Sequence, residues 1–172
     1  MTTCNRRAFT IVELLIVIAI IGLLVSLTIP ALSKAKVLAR HTACRTNLHA
    51  VAVGFRMYLN DSGDIMPVAA QLPSAQLNDD PPICEVMTPY LGDLEVLHCP
   101  ADTERDYFAS EGSSYEYHSI LGGRNVDETF LTQMVGEANV HIMHDYEPFH
   151  GKAGQLGASN YLFADGHVGD LE

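Results

Sequence analysis

The chain has 172 residues, 48% of them hydrophobic and none Trp, which bounds it to one domain with a modest core plus an appendage. Ten Lys and Arg against 21 Asp and Glu give a formal net charge of −11. The charge is uneven: residues 9–60 carry Lys34, Lys36, Arg40, Arg45 and Arg56 against Glu13 alone, whereas residues 61–172 carry twenty acids against Arg105, Arg124 and Lys152. The field of that acidic part repels phosphate backbones and argues against nucleic acid as a partner.

Residues 9–29 form the first predicted element. Glu13 is the only charge in these 21 residues. Such a helix is ~31 Å long, about one hydrocarbon thickness. The apolar region of a secretory signal is shorter, about 7–15 residues, and ends at small residues. No A-x-A-like site follows here. A core helix of a small domain would be apolar on one face, and this run is apolar on all. The run reads as a membrane segment. Charge counting leaves its orientation open, because Arg6 and Arg7 precede it while Lys34, Lys36, Arg40 and Arg45 follow. A carboxylate at membrane depth costs a few kcal/mol unless it finds a partner, so Glu13 is a functional candidate by default.

The stretch "RRAFTIVELLIVIAIIGLL" resembles the N-terminus of type IV pilins and of the pseudopilins of type II secretion. The resemblance implies a leader, residues 1–8, cut by a prepilin peptidase between Ala8 and Phe9 on the cytoplasmic side. It implies methylation of the new N-terminal Phe9. Ala8 stands where the family usually has Gly, a departure at the cleavage position. Glu13 is fifth in the mature chain, where the family carries its glutamate, and Pro30 falls where the family often bends its helix. The resemblance also orients the chain: N-terminus cytoplasmic, single pass through the inner membrane, globular part periplasmic or extracellular. The Phe9 amine and the Glu13 carboxylate of a neighbouring subunit would then neutralise each other in a filament. Burial makes that pairing specific in register, because an uncompensated buried charge is heavily penalised. The implied partners are the prepilin peptidase, other pilin or pseudopilin subunits and the inner-membrane assembly machinery.

Residues 30–60 continue as an amphipathic helix. Leu32, Ala35, Ala39, Ala43, Ala50, Val53 and Met57 mark its apolar face. "NDSGD" (residues 60–64) stops it. "CRTNLHAVAVGFRMYLNDSGDIMP" carries a further, more limited resemblance to the same family, at Asn47-Leu48 and Met57-Tyr58. Residues 61–172 form a small α+β globular domain. "PSAQLNDDPP" reads as a loop, "ICEVMTPYLG" as a short helix, and "SYEYHSI" and "ANVHIMHD" as strands. In "NYLFADGHVGDL", Asp165-Gly166 predicts a two-residue hairpin turn between strands 160–164 and 167–171. "NYLFADGHV" resembles the C-terminal ending of many bacterial pseudopilin-like proteins. The predicted fold is α+β: one long N-terminal helix, membrane-spanning in its first half, packed on a small antiparallel sheet.

Cys4 lies in the leader. Cys84 and Cys99 fall in the part placed outside the cytoplasm, where disulfides persist. They flank 14 residues, and closing that loop would contribute ~3 kcal/mol, so a Cys84–Cys99 bond is expected. The sequence also leaves open a bond from Cys44 to either.

His141, His144, Asp145, His150, Asp165, His167 and Asp170 crowd the last third. Imidazole with carboxylate suits transition metals, and clustered carboxylates suit calcium. Asp145, His150, Asp165 and His167 are the metal candidates. No His-Glu-x-x-His helix, Cys-x-x-Cys pair or Gly-x-Ser-x-Gly elbow accompanies them. Strand alternation would also put His141 and His144 on opposite faces. Structural histidines and solvated acids are therefore the favoured reading, and no cofactor is expected. The major pseudopilin of type II secretion has a calcium loop, which keeps calcium open, but its ligands do not map onto this chain residue by residue. The sequence thus reads as a structural, non-enzymatic subunit that assembles into a pilus or a secretion pseudopilus. The alternative is a membrane-tethered enzyme or metal-binding protein using the C-terminal His/Asp cluster.

Overall fold

A computed structural model describes residues 11–76 and 79–170. It divides into two compact units with the boundary between Leu38 and Ala39. Helix α1 runs over Ile11–Ser62, 52 residues, and continues through Pro30.

In the first unit every described residue is exposed. The exposed side chains include Ile16, Ile20, Leu24 and Leu27, each more than half accessible. The two hydroxyls in this stretch bond back to their own helix: Ser26 Oγ donates to the Leu23 carbonyl (2.7 Å) and Thr28 Oγ1 to that of Val25 (3.0 Å). Neither opposes an apolar environment, because each polar hydrogen is already satisfied. By length and composition α1 is able to cross a membrane.

The second unit is the α+β domain. Its buried helix residues are Cys44, Leu48, Val51, Ala52, Gly54 and Phe55. Cys44, Leu48, Val51 and Phe55 follow one helical stripe. This corrects the expected face. Leu32, Val53 and Met57 are exposed, as are Ala35, Ala39 and Ala50. The large side chains set the face because each removes more apolar area from water than an Ala does. The helix stops where the sequence places the breakers. Gly63 takes a positive φ of 70°, and the Asp64 N–H bonds to the Leu59 carbonyl (2.9 Å), the 6→1 bond of a Schellman cap.

Three short α-helices follow among the described residues, α2 (Ile83–Met87), α3 (Tyr107–Glu111) and α4 (Phe130–Val135), with five single 3-10 turns between the elements. The strands are β1 (Tyr115–Tyr117), β2 (His141–Asp145), β3 (Tyr161–Phe163) and β4 (Val168–Gly169). They form one antiparallel sheet in the order β1-β2-β3-β4. Registers Tyr117↔Met143↔Leu162↔Val168 put four buried side chains on the face that packs with Phe55 and Leu48. Phe55 stacks on Tyr117 (ring centroids 6.0 Å). Polar contacts fix the helix to the sheet region: Asn47 Nδ2 donates to the His98 carbonyl (2.8 Å) and Arg45 Nη2 to that of Val168 (2.9 Å). The long helix on a small antiparallel sheet is the predicted α+β arrangement.

The hairpin differs from expectation by one residue. Phe163 pairs with His167, its N–H reaching the His167 carbonyl (3.0 Å), so the loop is Ala164-Asp165-Gly166. The Gly166 N–H bonds to the Phe163 carbonyl (2.9 Å) with φ at +90°. A three-residue loop with Gly in the left-handed position is the next commonest hairpin connection. The Ala164 N–H is drawn into a bond with the Val140 carbonyl (2.8 Å), which a two-residue turn would not allow it to reach.

Candidate functional site

Candidate functional side chains fall in several regions. The first is the start of α1. Ala8 and Phe9 lie outside the described residues. Glu13 sits in the first turn of α1 and is exposed. An acid there complements the positive end of the helix dipole.

The second region is a buried polar cluster in the globular unit. α1 supplies His41 and Cys44, the segment before β1 supplies Cys99, Asp102 and Ser114, the last residue of β2 is Asp145, the following turn brings His150, and Asn160 precedes β3. Cys44 and Cys99 form a disulfide (Cα–Cα 5.0 Å), and Cys84 is free. The expected Cys84–Cys99 bond is therefore corrected. Cys84 is half-buried on α2, whereas Cys44 and Cys99 are both fully buried and meet across the core. Once formed, the bond across the longer loop, with its sequence separation of 55, restricts the unfolded chain more than a 14-residue loop would and so stabilises the fold more. The sequence signal for this pair was the position of Cys44 four and seven residues before Leu48 and Val51, on the stripe that is buried.

His150 Nε2 lies 3.5 Å from Cys99 Sγ and 3.6 Å from Asp145 Oδ2. The His150 ring packs on that of His41 (4.6 Å), and His41 Nε2 is 2.9 Å from Asn160 Oδ1. Asp145 Oδ2 accepts from the Asn160 backbone N–H (2.7 Å) and from its Nδ2 (3.0 Å). Asp145 Oδ1 is buried without a hydrogen-bond partner among the described residues. Burial pushes the Asp145 carboxyl up to about 7 against the two Asn160 hydrogen bonds, and Asp102 adds to the rise. Burial, then His41, pushes His150 down to about 4. The Asp145–His150 contact is short enough for an ion pair, but desolvation penalises both charged forms, so the imidazole is neutral at pH 7. Asp102 Oδ2 accepts from Ser114 Oγ (2.8 Å), and Ser114 Oγ in turn accepts from the Cys99 N–H (3.0 Å).

The other two metal candidates lie in the hairpin loop. Asp165 Oδ1 accepts from the His167 N–H (3.0 Å) and lies 2.6 Å from His167 Nδ1. Arg56 Nη2 donates to the Asp165 carbonyl (2.8 Å). Burial alone would raise the Asp165 pKa, but the His167 hydrogen bonds, with His167 and Arg56 as charges, hold it below the usual range. The four candidates therefore form two pairs, one in the core and one in an exposed loop.

A third group was not anticipated. A register shift between His141 and Met143 interrupts the alternation of β2. It brings His141 beside His144 (ring centroids 5.3 Å), with His118 stacked on His141 (4.9 Å). The expectation that His141 and His144 occupy opposite faces is overturned by this bulge. Glu116 Oε2 stands 3.6 Å from His144 Nε2.

The comparisons with known proteins bear on the first region. Residues 3–29 match the model of the prokaryotic N-terminal methylation motif. No curated protein and no solved structure matches the chain. The matched segment spans Ala8, Phe9 and Glu13 and ends one residue before Pro30. The match covers that segment alone and supports a type IV pilin-like, prepilin-type N-terminus, on an apolar helix consistent with anchoring in the inner membrane.

Proposed function

We propose that the chain is a pilin or pseudopilin subunit, inserted in the inner membrane as a precursor, cut after Ala8, methylated on Phe9 and built into a filament through its N-terminal helix. The observation that carries this reading is the match of residues 3–29 to the methylation motif. The physical support is the exposed apolar surface of residues 11–38, which water does not tolerate as a free helix. A bilayer covers it in the precursor, and neighbouring subunits cover it in the filament. The N-terminus faces the cytoplasm, and the acidic globular part lies outside it. Glu13 pairs with the Phe9 amine of a neighbour, and the proposed organisation is leader 1–8, membrane and assembly helix 9–29, helix continuation 30–60 and globular domain 61–172.

Intact-mass measurement of the membrane-purified protein tests the reading. The expected mass begins at Phe9 and carries one methyl group. A chain that retains residues 1–8 in cells with an active prepilin peptidase rejects it.

A further inference from the structure

The buried cluster holds an arrangement that a disulfide alone does not require. Cys44, Cys99 and His150 each offer one ligand atom, and these lie within 4.8 Å of one another. Metal–ligand distances of about 2.3 Å to sulfur and about 2.0–2.1 Å to nitrogen put the S···N edge of a zinc tetrahedron at roughly 3.5 Å. Cys99 Sγ and His150 Nε2 are 3.5 Å apart. The next acceptor beside the same nitrogen is Asp145 Oδ2, at 3.6 Å. The His150 side chain is 1% exposed and that of Asp145 is fully buried, so water does not compete there. Asp145 also keeps one oxygen without a hydrogen-bond partner among the described residues. A buried carboxylate oxygen left in that way costs free energy, and a metal would relieve the cost. His41 on the His150 ring and Asn160 on Asp145 already hold the two side chains in place, as outer partners hold metal ligands.

We propose that Cys44, Cys99 and His150, with Asp145 as the fourth ligand, form a redox-gated zinc site: closed as a disulfide, open to one Zn²⁺ when the pair is reduced. A dithiol supplies the two electrons and two protons that convert the disulfide to two thiols, and is itself oxidised to a disulfide. Zinc then displaces the two thiol protons to solvent and forms two Zn–S bonds. The two thiolates offset the charge of the cation, which a buried site needs, and the Asp145 carboxylate brings the four-ligand site to one net negative charge. Exchange with a disulfide-bearing oxidant reverses the process and releases the zinc. The two sulfurs have to part; His150 Nε2 already stands 3.5 Å from Cys99 Sγ, and the Asp145 carboxylate, 3.6 Å from that nitrogen, has to turn toward the sulfurs.

The test uses the full-length protein in detergent with Cys4→Ser and Cys84→Ser, so that Cys44 and Cys99 are the sole thiols. It is reduced with a phosphine and titrated with Co²⁺ as a spectroscopic stand-in for zinc. The reduced protein is expected to bind one Co²⁺, with a thiolate charge-transfer band and tetrahedral visible bands that zinc abolishes. The oxidised protein is expected to show neither. His150→Ala keeps the disulfide, so its fold is verified in the oxidised form before reduction. It is then expected to bind Co²⁺ more weakly by at least the about 10-fold that removal of even an outer partner costs. Absence of the bands in the reduced protein overturns the proposal. So does equal binding by the oxidised protein, or an unchanged spectrum and affinity in His150→Ala. If the reduced chain loses its fold, zinc must restore the circular dichroism of the oxidised form, and failure to do so also overturns it.

Discussion

One helix contains two stretches with opposite relations to water. Residues 11–38 expose their apolar side chains on every face, whereas from Cys44 onward the same helix buries a single stripe and turns polar groups outward. The apolar side chains of the first stretch are exposed among the described residues, so covering them depends on a second solvent or a second subunit. The later stretch gains from tertiary packing inside one domain. Helical conformation is common to both, and what differs is where the apolar area goes. A helix with no polar face is specified by its surroundings, and one with a stripe is specified by its fold.

The largest expected effect separates assembly from folding. Glu13→Ala is expected to insert and to be processed at Phe9 while filament yield falls more than about 10-fold, since an uncompensated buried charge costs about 3–5 kcal/mol. Shearing and quantifying filaments measures it, and a wild-type yield removes the proposed role of Glu13. Substitutions on either side of the helix's change of character come next. Phe55→Ala empties a fully packed position against Tyr117 and should cost about 3–5 kcal/mol in denaturant unfolding. Leu24→Ala, on the exposed stretch, should change unfolding of the same full-length protein by less than about 0.5 kcal/mol. Similar losses at the two positions would break the distinction between the stretches.

Gly166→Val should cost about 1–2 kcal/mol, because an L-residue resists the +90° φ of the loop. The added Cβ would meet only Arg56 Nε, at 3.8 Å, so the cost is in the backbone rather than in a clash. Gly166→Asn should cost less, and a thermal melt of both variants distinguishes the two causes. A further effect is in pH. Burial, then His144 and His118, pushes His141 down to about 4. In the unfolded chain an ordinary His binds its proton near pH 6.5. Between about pH 6.5 and 4 the unfolded state therefore holds more protons at this position, and stability falls as pH falls. His141→Gln should remove about 1 kcal/mol of that loss, discounted for the part exposure of the ring. Urea midpoints at pH 7 and pH 4.5 measure it, and an unchanged pH dependence would show that His141 does not contribute.

The legible parts of the chain were those in which local chemistry and structure coincide. The apolar run, the Gly63 stop and the Asp165-Gly166 signal each depend on neighbours in sequence. The hairpin loop was short by one residue because the Ala164 N–H is claimed by Val140, a contact that no local pattern contains. The His141–His144 pairing escaped because period-two alternation assumes an unbroken strand, and one bulge inverts it. The helix face was misread because small residues at helical spacing look like a packing face until the positions of the larger ones are weighed.

The sequence by itself determined an apolar helix with one carboxylate near its start, a prepilin-type N-terminal segment, and an acidic α+β domain that follows. These rest on composition, periodicity and a contiguous motif, which no fold is needed to read. Only the tertiary structure decided which cysteines meet, and that His150, Asp145 and His41 gather around them. Cys44 and Cys99 are 55 residues apart, and His150 comes from a turn after β2. Residues so distant become neighbours only when helix and sheet close on a shared core, because burial of Leu48, Val51 and Phe55 fixes the rotation of the helix and with it the direction in which Cys44 points.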